Sequence, residues 1–79
     1  MSPTVHQEGP YAFRFYSADR NEPPHVHVWR DDCRAKFWLK PILIARSRGF
    51  SQNELNEIEK LVIQNQAKLL EAWHDYFGD

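Results

Sequence analysis

The stretch Glu22-Pro23-Pro24-His25-Val26-His27-Val28-Trp29-Arg30-Asp31-Asp32-Cys33-Arg34-Ala35-Lys36-Phe37-Trp38-Leu39-Lys40 decides the fold. Residues 25–30 alternate with a period of two, the period of a strand, and residues 34–40 do the same. Asp31, Asp32 and Cys33 between them leave room only for a hairpin, without the glycine that would fix its turn type. Pro23 keeps Glu22 out of the helical region and Pro24 does the same to Pro23. Each proline also fixes its own φ. The chain therefore enters the His25 strand extended and stiff. Such pre-ordering serves a binding site, and it equally stops a sheet edge from pairing with other chains.

Working outward, Tyr11–Tyr16 is aromatic-rich, alternates, and reads as a strand. Residues 17–24 read as a loop, and Pro41–Ala45 as a short strand or a single turn. Pro3, Gly9 and Pro10 make residues 1–10 an N-terminal lead-in that frays, ahead of a single domain over 11–79. Ser51, with Glu54 three residues on, has the spacing of a capping box, and Phe50 and Leu55 that of a hydrophobic staple. One uninterrupted helix is predicted from about residue 52 to 77. Leu55, Ile58, Val62, Leu69, Trp73 and Tyr76 lie on one stripe, flanked by Ile63, Leu70 and Phe77. Glu57, Lys60, Gln64, Lys68, Glu71 and Asp75 face the other way. The expected class is α+β, a three- or four-stranded antiparallel β-meander packed against one long C-terminal α-helix.

Side chains alternate across a strand. Phe13, Phe15, Val26, Val28, Ala35, Phe37 and Leu39 then share an apolar face toward the helix. The other face carries Arg14, Tyr16, His25, His27, Trp29, Arg34, Lys36, Trp38 and Lys40. A chain of 79 residues has one helical layer to offer. That second face is therefore expected to lie open as a binding surface. Its aromatic and basic mixture suits a protein partner, or single-stranded nucleic acid with bases on rings and cations on phosphates. Covering by Lys and Arg stems or by neighbouring segments is the alternative.

Composition narrows the classes. The net charge of −1 argues against bulk-charge coating of nucleic acid. Residues 1–50 nevertheless hold eight Lys/Arg against five acids, and residues 51–79 two Lys against six acids. No apolar run reaches the ~20 residues of a membrane helix. No secretion signal is read at the N-terminus. The single cysteine, Cys33, excludes an internal disulfide and a four-cysteine zinc site, and a reducing cytoplasm is expected.

His25 and His27 carry the most chemistry. At i and i+2 on a strand they project to one side, about 7 Å apart at the backbone. They are the candidate metal ligands, with zinc the candidate ion. A third ligand would come from Asp19, Glu22, His6, Glu8 or His74, none at a recognisable spacing. They are also the candidate catalytic residues, since an imidazole can act as general base in RNA cleavage with Arg14 or Lys36 on the phosphate. No carboxylate dyad, Gly-rich phosphate loop or Ser-His-Asp set accompanies them.

The Glu22-Pro23-Pro24-His25-Val26-His27-Val28 segment, the Ala35–Leu39 strand, Gly49-Phe50-Ser51 and Leu70-Glu71-Ala72-Trp73 together resemble a family of small bacterial and archaeal proteins. That family is catalogued as domain of unknown function 4160. The resemblance spans about Phe13 to Phe77, and its most specific part is Pro23, Pro24, His25 and His27. It implies a role in a toxin–antitoxin-like two-gene module. It brings no established catalytic residues. The expected function is a non-catalytic binding protein that meets a small partner protein. The alternatives are a ribonuclease-like toxin, an RNA-binding protein and a metal-binding module. No membrane partner is expected, and self-association stays open.

Overall fold

The computed structural model describes residues 3–78. Five strands form one antiparallel sheet in chain order: β1 (Thr4–Glu8), β2 (Tyr11–Arg14), β3 (His25–Arg30), β4 (Cys33–Leu39) and β5 (Ile42–Arg48). A short 3₁₀ turn over Ser17–Asn21 lies between β2 and β3. Helices α1 (Gln52–Gln64) and α2 (Gln66–Phe77) follow the sheet. The class is α+β, with five strands where three or four were expected. Residues 4–8 of the expected lead-in are β1, paired to β2 from Glu8↔Tyr11 to Thr4↔Arg14. The short apolar run after Pro41 extends into β5, with Arg46, Ser47 and Arg48 continuing the strand.

The apolar face is as the alternation predicts. Phe13, Phe15, Val26, Val28, Ala35, Phe37 and Leu39 are buried, and Ile58, Val62, Leu69 and Trp73 meet them from the helices. Val26 pairs with Phe37 and Val28 with Ala35, which fixes the register of the central hairpin. A one-residue slip would turn that whole row outward, so burial and register enforce one another. Asp31 makes the turn at φ 53°, a left-handed conformation that aspartate tolerates better than most residues.

β5 carries a bulge. Lys36 pairs with Arg46, but Phe37 pairs with Ile44, so Ala45 is the extra residue. Unbroken alternation would put Ile42, Ile44, Arg46 and Arg48 on one face. The extra residue separates them. Ile42 stays opposite Leu39 on the core side, while Arg46 and Arg48 stand opposite Lys36 and Arg34 on the other.

The single helix of the sequence reading is two helices. Asn65 sits between them at φ −106°, ψ 12°. Its side-chain amide donates to the Leu61 carbonyl at 2.8 Å and to Glu8 Oε1 of β1 at 3.0 Å. The next residue, Gln66, donates its side-chain amide to the Leu39 carbonyl at 2.7 Å. A side chain inserted into the ladder is a sufficient cause of a kink. The interruption is partial, since Asn65 N still reaches Leu61 O and Leu69 N reaches Asn65 O.

The start of α1 uses half of the expected capping box. Ser51 Oγ accepts from Glu54 N at 3.2 Å. The Glu54 carboxylate does not return to the cap. It accepts from Arg30 Nε at 2.6 Å and Nη2 at 2.8 Å, and from Tyr11 hydroxyl at 2.7 Å. This fork ties α1 to β2 and β3. Gly49 makes the approach possible: its φ is 95°, and a Cβ there would lie 2.8 Å from Cys33 Sγ.

The Arg30 and Tyr11 hydrogen bonds hold the Glu54 carboxyl below its usual range. A carboxylate whose folded pKa is depressed adds stability above its unfolded value of about 4.3, lost as pH falls through the folded one. Glu54→Gln is therefore expected to be less stable than wild type at pH 7, and to lose less on acidification. Urea unfolding across that acid range checks both.

Candidate functional site

The second face of the sheet is not the open surface that alternation suggests. His25 is 0% exposed, His27 5% and Lys36 6%. The cause is the Ser17–Asn21 turn, which folds down onto the face and brings Asp19 with it. Asp19 itself is buried. Arg14, Tyr16, Trp29 and Trp38 are half-buried, and Arg34 and Lys40 are exposed. Cations cover the rings: Arg14 and Arg34 lie 5.4 and 5.2 Å from the Trp29 ring, and Lys36 Nζ 4.5 Å from the Trp38 ring. The covering alternative therefore describes the middle of this face, while its β5 side stays open.

Asp19 Oδ2 is the centre. His25 Nε2 and His27 Nε2 each lie 2.9 Å from it. The Tyr16 N–H donates to it at 3.1 Å. His27 stacks flat on Tyr16, with ring centroids 3.8 Å apart at 9°. His25 sits edge-on to Trp38 and 5.1 Å from Trp73 of α2, so its ring reaches toward the helical layer at the end of the sheet. This corrects the expectation that both imidazoles face solvent. Trp73 also packs on Phe15, and Arg20 of the turn lies over Phe77. The turn thus closes the gap between the sheet's end and α2.

Tautomers can be read from the partners. A carbonyl only accepts, so the 2.9 Å contact between His25 Nδ1 and Pro23 O puts a proton on Nδ1. Pro23 thereby orients the His25 ring. His25 Nε2 is buried and makes no hydrogen bond, although Asp19 Oδ2 is 2.9 Å away. In the neutral ring that nitrogen presents a lone pair beside a carboxylate oxygen. Such a juxtaposition calls for a cation between the two, either a proton or a metal ion. His27 meets the same oxygen with a hydrogen bond.

Electrostatics agree with an ionised Asp19. Burial alone pushes its carboxyl up. The hydrogen bonds from His27 and the Tyr16 N–H, with the nearby imidazoles, outweigh burial and hold it below its usual value. Burial pushes the His27 imidazole down, against the pull of Asp19. Lys36 Nζ, alongside, is paired to Glu22 at 2.6 Å, and that contact lowers the Glu22 carboxyl. Among the described residues, Asp19, His25 and His27 form the group able to hold a metal ion, their ligand atoms all within 4.8 Å of one another. Of the third ligands the sequence offered, the fold selects Asp19. His6 and Glu8 instead pair with each other on β1 at 3.0 Å.

Beside the triad a cleft of about 320 Å³ opens toward β5, walled by Tyr16 and His27 and by Arg34, Lys36, Arg46 and Arg48. Sequence reasoning missed Arg46 and Arg48. Their signal was an ordinary pair of charges at i and i+2, but the segment was too short and ambiguous to assign a face.

The family described as Domain of unknown function (DUF4160) matches residues 11–74. The chain belongs to that family. The match covers the triad, the cleft and most of both helices, and leaves β1 outside it. No curated protein and no solved structure matches the chain. Among the described residues no helix is long and apolar enough to cross a membrane.

Asp19→Ala is expected to cost about 2–4 kcal/mol, because it leaves buried donors without their charged acceptor. Denaturant unfolding at pH 7 measures it. A loss within 0.5 kcal/mol, the usual range for an uninvolved surface position, would mean the turn is held by other contacts.

Proposed function

We propose that this domain is a small non-catalytic metal-binding module in which Asp19, His25 and His27 take a zinc ion that fastens the Ser17–Asn21 turn to the sheet. The observation that carries this reading is His25 Nε2, a buried nitrogen 2.9 Å from the Asp19 carboxylate with no hydrogen bond to satisfy it. The Pro23 carbonyl on the opposite ring nitrogen is the outer partner that metal-bound histidines commonly have. Imidazole nitrogen and carboxylate oxygen are a donor set that zinc accepts, at about 2.0–2.2 Å. The ligand atoms, all within 4.8 Å of one another, need only a modest inward turn to reach such distances. Bound zinc would supply positive charge between the two acceptors, and its remaining position would go to water.

Metal analysis of protein purified without chelator or affinity tag is expected to give one zinc per chain. Free zinc at ~100 times its dissociation constant adds about 2.7 kcal/mol of stability. For a domain of this size that is a rise of roughly 10–20 °C in Tm. His27→Gln and Asp19→Asn should abolish the rise. Metal-free protein whose melting ignores zinc, nickel and ferrous iron would end this reading.

The second reading is a partner protein of a toxin–antitoxin-like two-gene module, the role the family resemblance implies. It is favoured by β5, the outer strand of the sheet, on which Leu43 is 57% and Ile44 46% exposed. An unpaired edge with apolar side chains is a template for a strand from another chain. The domain is expected to form a stoichiometric complex, by light scattering, with the small protein encoded beside it, and the Leu43→Lys/Ile44→Lys variant to lose it. A complex that survives the two lysines places the contact elsewhere. Either reading fits the cytoplasm, where the free thiol of Cys33 stays reduced.

A further inference from the structure

We infer that the cleft over the face of β4 and β5 binds the phosphate backbone of single-stranded RNA, with Arg34, Arg46 and Arg48 as its phosphate contacts. The inference goes beyond the metal reading and stands without it.

Cross-strand pairing sets like charges face to face on this rim. Arg34 is directly opposite Arg48, and Lys36 directly opposite Arg46. Like charges facing each other across two strands are destabilising. Here two such pairs stand in succession, placed on one face by the bulge at Ala45. Only Lys36 has an acid to answer it, Glu22 at 2.6 Å. Among the described residues no acid pairs with Arg34, Arg46 or Arg48, and all three are exposed. An anion with several charges, spaced along the strand direction, relieves this arrangement. The i and i+2 positions set the cations roughly 7 Å apart along each strand.

The kind of cation points to phosphate. The three unpaired groups are guanidiniums, whose planar fork matches two phosphate oxygens at once. Their surroundings point to a single strand. The cleft holds about 320 Å³, room for a nucleotide unit and not for a duplex groove. One wall is the Tyr16 ring, already laid parallel on His27 at 3.8 Å. Beyond Lys36 and Arg46 the same face continues into Trp38 and, opposite it, the exposed Leu43. Cations in the middle with flat rings at either side are the composition of a single-strand platform. The helical half of the chain, residues 51–79, carries an excess of acid and would repel a polyanion that wrapped further round.

The test is fluorescence anisotropy of a short labelled oligouridylate against the full chain at increasing salt. Three phosphate contacts on a single strand predict a log–log salt slope of about −2. Arg46→Glu/Arg48→Glu should weaken binding at least tenfold and bring the slope toward about −0.7, the value for one contact. Neither arginine has a partner among the described residues, and the two glutamates would stand opposite Arg34 and Lys36, so circular dichroism should stay as in wild type and the melting temperature should be equal or higher. If the double variant does not fold, Arg48→Gln alone should flatten the slope by about 0.7. Unlabelled duplex RNA and polyglutamate serve as competitors, and both should displace the probe poorly. Absence of binding at low salt overturns the proposal. So does a variant that binds like wild type, or displacement by polyglutamate as effective as by the oligouridylate, which would mark an acidic protein as the occupant.

Discussion

One carboxylate oxygen holds the second face of this sheet together. Asp19 Oδ2 meets His25, His27 and the Tyr16 backbone at 2.9–3.1 Å. A five-stranded sheet with one helical layer leaves one side without a cover, and 79 residues cannot supply a second layer. The chain answers with a turn of five residues instead. That turn works only because its acid reaches past the sheet surface to two strand histidines. Once it is down, Lys36 is buried too, and Glu22 at the turn's end accompanies it. The burial of four polar side chains on this face thus follows from one contact, and the prolines at 23 and 24 fix the angle at which the chain leaves it.

The sheet and the helix stripe were legible because they rest on periodicity. Phe13, Phe15, Val26, Val28, Ala35, Phe37 and Leu39 all lie on the predicted side, as do Ile58, Val62, Leu69 and Trp73 on the helices. β1 was not read because Thr4–Glu8 alternates weakly and Gly9-Pro10 looks like an end as much as a hairpin turn. The break at Asn65 was not legible because two of the bonds around it run to Glu8 and Leu39, far off in the chain. His25 and His27 were identifiable as a pair from spacing alone. Their third partner could be narrowed only to five candidates, because Asp19 reaches them through the path of a loop, and a loop's path leaves no period in the residues. The expected openness of the face failed for the same reason.

Charge is distributed to match these layers. Apart from Glu54, which pairs with Arg30 and Tyr11, the acids of α1 and α2 are exposed, while the arginines of β4 and β5 gather on the far side of the sheet. The two surfaces are separated by a core of aliphatic and aromatic side chains, which keeps opposite signs from neutralising one another. A net charge of −1 therefore conceals a dipolar molecule. Such a molecule presents different sides to anionic and cationic neighbours, and orients as it approaches either.

The extra residue in β5 decides which side the following arginines take. Deleting Ala45 would leave Phe37 opposite Ile44 and Lys36 opposite Arg46, so the arginines would keep their side; drawing Ala45 into regular pairing would instead turn every later side chain of the strand over, with no change in amino-acid charge. The positive rim is thus a property of how the strand pairs, a distinction invisible to any count of lysines and arginines.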